Sequence, residues 1–171
     1  MKVSIITATY NSASTIKDTL ESVNAQTYPD VEHIIVDGAS KDNTLELVTK
    51  YGKRVTTIIS EPDKGIYDAM NKGIQAATGD VIGILNSDDF FADKDVITKI
   101  VNEFLEDSGL EAVYTNLYYV QQNDPSKIVR HWISGPFKKK SFFKGWHPPH
   151  PTLYLRKDVY EKYGLFNLNF P

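Results

Sequence analysis

The stretch that decides the fold of this chain is Ile82-Gly-Ile-Leu-Asn-Ser-Asp-Asp-Phe-Phe91. Its apolar start is typical of a short buried strand, and the strand ends at once in the polar residues Asn86 to Asp89. Two adjacent carboxylates at the end of a core strand repel each other and lose solvation, and a divalent cation removes that cost. Hard oxygen ligands suit Mg²⁺ or Mn²⁺. The alternative is a solvated turn in which an aspartate caps the next helix.

Strands and helices alternate through the first 110 residues. Apolar, β-branched runs at residues 3–9, 31–36, 55–60 and 81–85 predict four strands, and an amphipathic helical pattern follows each one. This alternation predicts an α/β fold with a mostly parallel open sheet and helices on both faces. For the fourth helix we predict an inward face made of Val96, Ile97, Ile100, Val101, Phe104 and Leu105.

Polar side chains follow all four predicted strands. They are found in residues 7–11, at Asp37, at Asp63, and at Asp88 and Asp89. In open α/β sheets, ligands bind in the crevice outside the carboxyl ends of the strands. Four separate loops that bring polar groups to one edge predict a binding site there more strongly than any single loop.

The pattern changes after Gly109. Two β-rich runs, residues 112–120 and 128–133, are joined by a turn at 121–126, which predicts a hairpin added to the sheet. Residues 134–151 form a long segment rich in Pro, Gly, Lys and aromatic residues, and such loops are usually functional or mobile. A short strand near 152–155 and a helix at 157–163 are expected to follow. We expect one domain overall.

Composition excludes several classes of protein. The chain has 171 residues, a formal net charge of -3 and no cysteine, which excludes disulfides and thiolate metal sites. The charge gives no global attraction to nucleic acid, so we expect no nucleic-acid partner. No apolar run approaches the ~18 residues of a membrane span. We expect a cytoplasmic protein, with peripheral contact at the inner face of the membrane as an open alternative.

The familiar phosphate-binding loops are absent from the sequence. No Gly-x-Gly-x-x-Gly follows the first strand, and there is no Gly-x-x-x-x-Gly-Lys-Ser/Thr. This argues against a dinucleotide-dependent dehydrogenase and against a P-loop NTPase. A diphosphate ligand would then be neutralised by a cation held on side chains.

Five motifs closely resemble the family-2 glycosyltransferases, which have the Rossmann-like glycosyltransferase-A fold. They are Ser4-Ile-Ile-Thr-Ala-Thr-Tyr-Asn11, Val36-Asp-Gly-Ala-Ser-Lys-Asp-Asn-Thr44, Asp63-Lys-Gly-Ile-Tyr-Asp-Ala-Met-Asn-Lys-Gly73, Gly79-Asp80 and Leu85-Asn-Ser-Asp-Asp89. Two later segments look like the acceptor side of bacterial members that build surface polysaccharides. These are His150-Pro-Thr-Leu-Tyr-Leu-Arg156 and Tyr163-Gly-Leu-Phe166.

The resemblance implies a metal-dependent, inverting sugar transferase. Its donor would be a nucleotide-diphosphate sugar, with a UDP-sugar favoured, and its cofactor Mg²⁺ or Mn²⁺. Its acceptor would be a glycan or a lipid-linked molecule. Residues 1–110 would form the nucleotide-sugar-binding α/β half, and residues 111–171 a β-rich acceptor-side segment.

The resemblance also implies roles for individual residues. Asp37 matches the carboxylate that accepts a hydrogen bond from the base, commonly from uracil N3–H. Asp88 matches a residue near the ribose and sugar, and Asp89 matches the metal ligand. Asn86 stands where the family often has Asp, so we expect it to touch the donor or a group around the metal without holding the metal alone. The loop along the nucleoside is matched by Thr7, Ala8, Thr9 and Tyr10, with Asn11 closing the motif.

Three further residues are placed with the donor site, each with a second interpretation. Asp68 and Asn71 lie about one turn apart on one helix face, where they contact the donor or only cap and solvate the helix. His150 is a candidate diphosphate or acceptor contact, or an ordinary loop histidine. His147 reads as an ordinary loop histidine.

The catalytic base is left unassigned. In the family, an Asp or Glu base usually follows the segment that residues 164–170 resemble, so we expect it beyond Pro171 and expect the chain to be truncated. This leaves a nucleotide-sugar-binding module without turnover as an alternative. A nucleotidyltransferase is another, although it typically needs a Gly-rich loop after the first strand.

The loop around residues 138–144 has two interpretations. Lys138, Lys139, Lys140 and Lys144 surround Phe142 and Phe143 in a solvated flexible loop, or they meet a lipid-linked diphosphate at a membrane face.

Overall fold

The structure is a computed structural model that describes residues 1–169. Its strands are β1 Val3–Thr9, β2 Val31–Asp37, β3 Val55–Ser60, β4 Val81–Ile84, β5 Ala112–Tyr114, β6 Leu117–Gln121, β7 Asp124–Trp132 and β8 Leu153–Arg156. The α-helices are α1 Ile16–Asn24, α2 Thr44–Tyr51, α3 Ile66–Ala76, α4 Val96–Glu106 and α5 Lys157–Tyr163, and two 3₁₀ helices span Lys139–Lys144 and His150–Thr152.

Six strands form one sheet in the order β3-β2-β1-β4-β8-β5. The first four strands are parallel, while β8 runs antiparallel to both β4 and β5. The predicted fold class, a mostly parallel α/β sheet with flanking helices, is therefore confirmed. None of the helices in residues 1–169 is long and apolar enough to cross a bilayer.

Helices cover both faces of the sheet. On one face Val3 and Ile5 of β1 pack in a core with α1 and α4, and Ile35 of β2 packs against α1 and α2. On the other face Ile6 and Ile34 pack against α3. Because both faces are buried, β1 has no alternation of apolar and polar residues, and the hydroxyls of Ser4 and Thr7 bond to Glu32 and His33 inside the fold.

Two details of the predicted fold are wrong. The hairpin exists, but β6 and β7 form a sheet of their own, and only the short β5 joins the main sheet. The chain leaves β5 at Thr115, whose carbonyl accepts hydrogen bonds from Ser134 Oγ at 2.7 Å and Thr152 Oγ1 at 3.0 Å. In α4, Leu105 is 63% exposed because the inward stripe ends at Phe104.

The topology gathers many loops at one edge of the main sheet. The parallel strands β1 to β4 all end there. Strand β5 ends at the same edge, because it is antiparallel to β8, which is itself antiparallel to β4. Residues 115–152 therefore rise from the edge at which Asp88 and Asp89 lie, and we call it the carboxyl edge.

Candidate active site at the carboxyl edge

The loops after β1 and β2 are locked to each other. Asn11 donates its backbone N–H to Ser40 Oγ at 2.8 Å, and its side-chain oxygen accepts from the Lys41 N–H at 2.8 Å. Gly38 N–H donates to the Thr9 carbonyl at 2.9 Å. Asn11 adopts φ 49°, a left-handed conformation that asparagine tolerates better than most residues. The two loops thus form one rigid wall.

Only part of the predicted nucleoside loop reaches the surface. Tyr10 is 61% exposed, and Asn11 is exposed beside it. The side chains of Thr7, Ala8 and Thr9 are buried in the sheet. Tyr10 is therefore the aromatic side chain of this loop that is exposed to solvent.

Asp37 is fully buried and links the ends of two strands by hydrogen bonds. Its carboxylate accepts hydrogen bonds from Ser60 Oγ at 2.7 Å, from the Ser40 N–H at 3.1 Å and from the Ser40 hydroxyl. It ties the ends of β2 and β3 together, and because Asp37 has no exposed surface, the predicted contact with a base requires the side chains that cover it to move.

Asp63 lies closer to the surface beside the same wall. A Cβ placed on Gly38 would lie 2.6 Å from Asp63 Oδ2 and 3.3 Å from the Tyr10 ring. Only glycine leaves this narrow space between a carboxylate and an aromatic ring. The sequence marked Asp63 as a polar strand-end residue but gave it no role, because its approach to Gly38 depends on how β2 and β3 pair.

The turn after β4 carries the paired carboxylates. Asn86 Nδ2 donates to Asp89 Oδ2 at 2.9 Å, and the Asp89 N–H donates to the Asn86 carbonyl at 3.1 Å. Thr19 of α1 donates its hydroxyl to the Asp89 carbonyl at 2.8 Å. The hydroxyls of Ser87 and Ser12 lie 2.9 Å apart, which joins this turn to the loop after β1.

The electrostatics of the turn favour a bound cation. Burial raises the pKa of Asp89, and the neighbouring charge of Asp88 raises it further, while the hydrogen bond from Asn86 opposes both effects. The side-chain oxygen of Asn86 is buried and has no hydrogen-bond partner. A destabilised carboxylate and an unpaired amide oxygen within one turn suit a hard cation.

The protein ligands alone do not fill a coordination sphere. Within residues 1–169, no three His, Asp or Glu side chains converge as a metal-binding cluster. Mg²⁺ typically binds proteins through one or two carboxylates and completes its shell with water and substrate phosphates. Asp88, Asp89 and the Asn86 oxygen fit such a shared site.

His150 borders a small cavity next to the end of β4. The cavity has a volume of about 160 Å³, and its lining includes Ile84, Leu153 and Tyr160. His150 Nε2 is buried without a partner, and burial lowers the pKa of the imidazole. Burial also raises the pKa of Tyr160 to about 12. Two polar groups therefore border an otherwise apolar cavity.

Asp68 and Asn71 are engaged within the fold. Both polar atoms of the Asn71 side chain bond the backbone of Phe166, each at 2.9 Å. Asp68 Oδ2 accepts from the Lys64 N–H at 3.0 Å and lies 3.8 Å from Lys72 Nζ. The ring of Phe166 lies 5.7 Å from that of His150, so Asn71 and His150 share one neighbour.

The structure brings the predicted residues to one edge in three groups. Tyr10, Asn11 and Asp37 form the first, the Asn86–Asp89 turn forms the second, and Asn71 with His150 forms the third. The position expected for the catalytic base, beyond Pro171, lies outside the described residues.

Comparison with known proteins identifies the family of this chain. The family model of glycosyl transferase family 2 matches residues 4–164. The chain therefore belongs to glycosyl transferase family 2, as its motifs predicted.

Curated relatives agree along nearly the whole chain. An uncharacterized glycosyltransferase of Mycobacterium tuberculosis is 32% identical over 170 residues, which cover 98% of this chain and 63% of that protein. A PGL/p-HBAD biosynthesis glycosyltransferase of Mycobacterium bovis is 29% identical over 98% of this chain and 64% of its own length. The chain thus spans somewhat less than two thirds of these relatives.

Solved structures confirm the glycosyltransferase-A fold. A mannosyltransferase from Pyrobaculum calidifontis, in complex with GDP-Man and Mn²⁺, superimposes with a TM-score of 0.74 at 21% identity, over 98% of this chain and 48% of that one. Staphylococcus aureus TarS, residues 1–349 with UDP, gives a TM-score of 0.76 at 22% identity, over 99% of this chain and 51% of that one.

Proposed function

We propose that this protein is a metal-dependent, inverting glycosyltransferase that moves a sugar from a nucleotide-diphosphate donor, preferably a UDP-sugar, to a glycan or lipid-linked acceptor. The observation that carries the proposal is the Asn86–Asp89 turn, which holds a desolvated carboxylate and an unpaired amide oxygen and is linked through Ser87 to Ser12 of the loop after β1. The solved relatives with GDP-Man and Mn²⁺ or with UDP support it.

The nucleoside would lie against the wall formed by the first two loops. Tyr10 offers an exposed ring for the base, and Asp63 offers an acceptor for an N–H at its edge. Asp37 holds the two loops together through Ser40 and Ser60, and its predicted hydrogen bond to the base would form when the side chains that cover it move.

The diphosphate would lie over the Asn86–Asp89 turn. Asp89, with Asp88 and the Asn86 oxygen beside it, would hold Mg²⁺ or Mn²⁺. The ion would stabilise the charge that develops on the leaving diphosphate. Asp88 is exposed and remains available to the ribose or the sugar. Thr19 of α1 and Ser12 of the first loop hold the turn in place by hydrogen bonds.

Residues 111–171 would form the acceptor side. The cavity next to β4 lies where a sugar or acceptor could enter, and His150 Nε2 offers it a hydrogen bond. Asp68 and Asn71 would support this region, Asn71 by holding Phe166 against His150. Inversion requires a carboxylate that takes the proton of the acceptor hydroxyl as it attacks. Cytoplasmic localisation stays a prediction.

A thermal-shift panel tests the proposal. Nucleoside diphosphates and their sugars are each added with and without Mn²⁺, and we expect uridine compounds to raise the melting temperature most and only with the metal. No stabilisation by any nucleotide would contradict the proposal. Released product then separates the alternatives, because a transferase releases nucleoside diphosphate and a nucleotidyltransferase releases pyrophosphate. Donor binding without product would favour a binding module.

A further inference from the structure

The charge of this chain is divided unevenly along its sequence. Residues 126–157 contain eight of the 19 Lys and Arg residues and none of the 22 Asp and Glu residues. The rest of the chain therefore carries 11 basic and 22 acidic residues, a formal charge of -11. A segment with a charge of +8 on an otherwise acidic protein is built to meet a negative partner.

Half of these basic side chains already have partners in the fold. Lys127 lies 3.1 Å from Asp124, and Arg130 lies over the rings of Tyr119 and Trp132. Arg156 donates to the Leu110 carbonyl at 2.7 Å, and Lys157 donates to the Ala77 carbonyl at 2.9 Å. The four lysines left are Lys138, Lys139, Lys140 and Lys144, which are exposed and form no ion pair within residues 1–169.

The same short segment exposes large apolar rings. Phe143 is 88% exposed, and Phe142 is 51% exposed. We call the six residues Lys138, Lys139, Lys140, Phe142, Phe143 and Lys144 the basic aromatic surface. Phenylalanine has no polar atom to interact with water, so exposure of this degree next to free lysines indicates a partner that is both anionic and apolar.

Hydrogen bonds and ring packing hold the basic aromatic surface in place. The 3₁₀ helix Lys139–Lys144 ends at Gly145, whose φ of 79° lets the chain turn back. The Trp146 N–H then donates to the Ser141 carbonyl at 3.1 Å, and Trp146 Nε1 donates to the Ser134 carbonyl at 3.2 Å. The Phe142 ring meets Trp146 edge to face at 5.4 Å. Phe143 is held outward as a result.

We propose that the basic aromatic surface docks this protein on an anionic lipid bilayer, with Phe143 entering the interface and the lysines facing the headgroups. Lysines next to an exposed aromatic ring are the combination that binds membrane surfaces. A single-stranded nucleic acid is a poorer fit, because it needs successive open ring faces along a groove, whereas the Phe142 ring is packed against Trp146.

The position of the surface in the fold gives the docking a consequence. Residues 115–152 rise from the carboxyl edge, so a bilayer bound there would lie on the side of the protein that carries the Asn86–Asp89 turn. The docking itself does not depend on the proposed transferase reaction. If both hold, the acceptor is drawn from the membrane.

Vesicle flotation tests the proposal. The protein is mixed with vesicles of equimolar phosphatidylcholine and phosphatidylglycerol, or of phosphatidylcholine alone, and we expect binding to the anionic vesicles that weakens with added salt. Each basic residue near such a surface contributes about fivefold to partitioning, so Lys139→Ala with Lys140→Ala should weaken it about 25-fold. Phe143→Ala should weaken it about tenfold.

Matched variants on other surfaces give the control. Lys50→Ala with Lys53→Ala removes the same charge at the opposite edge of the sheet, and Leu105→Ala removes an apolar side chain that is 63% exposed on α4. Both should bind vesicles like the unchanged protein, and all variants should keep the same metal-dependent nucleotide binding. Equal loss in the control variants would overturn the proposal. So would binding of a single-stranded oligonucleotide without binding to vesicles.

Discussion

His33 lies in the middle of β2 with no exposed surface. Its Nε2 is 3.0 Å from the Thr7 hydroxyl, and burial lowers its pKa to about 3. The unfolded chain takes up this proton near pH 6.5, whereas the folded chain does not. His33 therefore leaves stability intact above pH 6.5 and reduces it as the pH falls toward 3, by about 1.4 kcal/mol per pH unit.

Urea unfolding at pH 7 and pH 5 measures this effect. We expect the free energy of unfolding to fall by about 2 kcal/mol between these values through His33 alone. Burial raises the pKa of Glu32, but hydrogen bonds from Lys2, Ser4 and Thr78 together outweigh it and lower the pKa to about 2, so the stabilisation by Glu32 is lost only below this window. His33→Leu should show a flatter pH dependence over the same range. An unchanged slope in the variant would contradict the assignment.

Asn86 stands where the family resemblance led us to expect Asp, and it lies next to Asp89, the proposed metal ligand. Asn86→Asp adds a third carboxylate to the turn that already holds Asp88 and Asp89. It replaces the amide that donates to Asp89 Oδ2 at 2.9 Å. Metal affinity rises with the number of charged ligands, so we expect Mn²⁺ to bind about tenfold more tightly. Without metal, the variant should be less stable because the like charges repel.

Paramagnetic resonance of free Mn²⁺ measures the affinity, and Asn167→Asp on the exposed surface is the control. Equal Mn²⁺ affinity in Asn86→Asp and in the control would show that Asn86 does not border the metal. The position of Asn86, Asp88 and Asp89 after a buried strand was predictable from the sequence, while their roles stay predictions. The burial of Asp37 was not, because its partner Ser60 lies 23 residues away on another strand.

Strand β8 lies inside the main sheet, although it follows the edge strand β5 in the sequence. It inserts antiparallel between β4 and β5, and its Tyr154 packs over Gly83 of β4. A Cβ on residue 83 would lie 2.2 Å from the Tyr154 ring. Gly83→Ala should therefore force this buried ring aside and destabilise the protein by about 1–3 kcal/mol.

The comparison for Gly83→Ala is Gly109→Ala. A Cβ at residue 109 would meet only the tip of the flexible Asp107 side chain, at 3.2 Å. Its free energy of unfolding in urea should change by no more than about 0.5 kcal/mol. If the two variants are equally stable, Tyr154 is not fixed against β4.

Elements with strong local patterns were predictable, and those that depend on distant pairing were not. The four parallel strands and the helices between them follow from apolar periodicity and length. The separation of β5 from β6 follows from bonds that Thr115 makes with Ser134 and Thr152, and no local pattern encodes them. The 3₁₀ helix Lys139–Lys144 was likewise hidden within a segment expected to be a loop.

In the whole molecule, the acidic turn and the segment that carries the basic aromatic surface start from the same edge of the main sheet. The Asn86–Asp89 turn follows β4, and the basic aromatic surface lies in the segment between β5 and β8. The sequence indicated the acidic part of this edge, since four strands end in polar residues. It did not predict that the segment with the lysines begins and ends at the same edge, because that depends on β8 running antiparallel to β4.

The proposed function requires the carboxyl edge to bind a nucleotide diphosphate through a cation held by Asp89. Calorimetric titration of UDP with and without Mn²⁺, in the unchanged protein and in Asp89→Ala, tests it most directly. We expect Mn²⁺ to strengthen UDP binding at least about tenfold in the unchanged protein, and this gain to vanish in Asp89→Ala while the melting temperature without ligand stays high. Asp30→Ala, at the opposite edge, should retain the gain. Undiminished Mn²⁺ dependence of UDP binding in Asp89→Ala would show that Asp89 does not hold the cation.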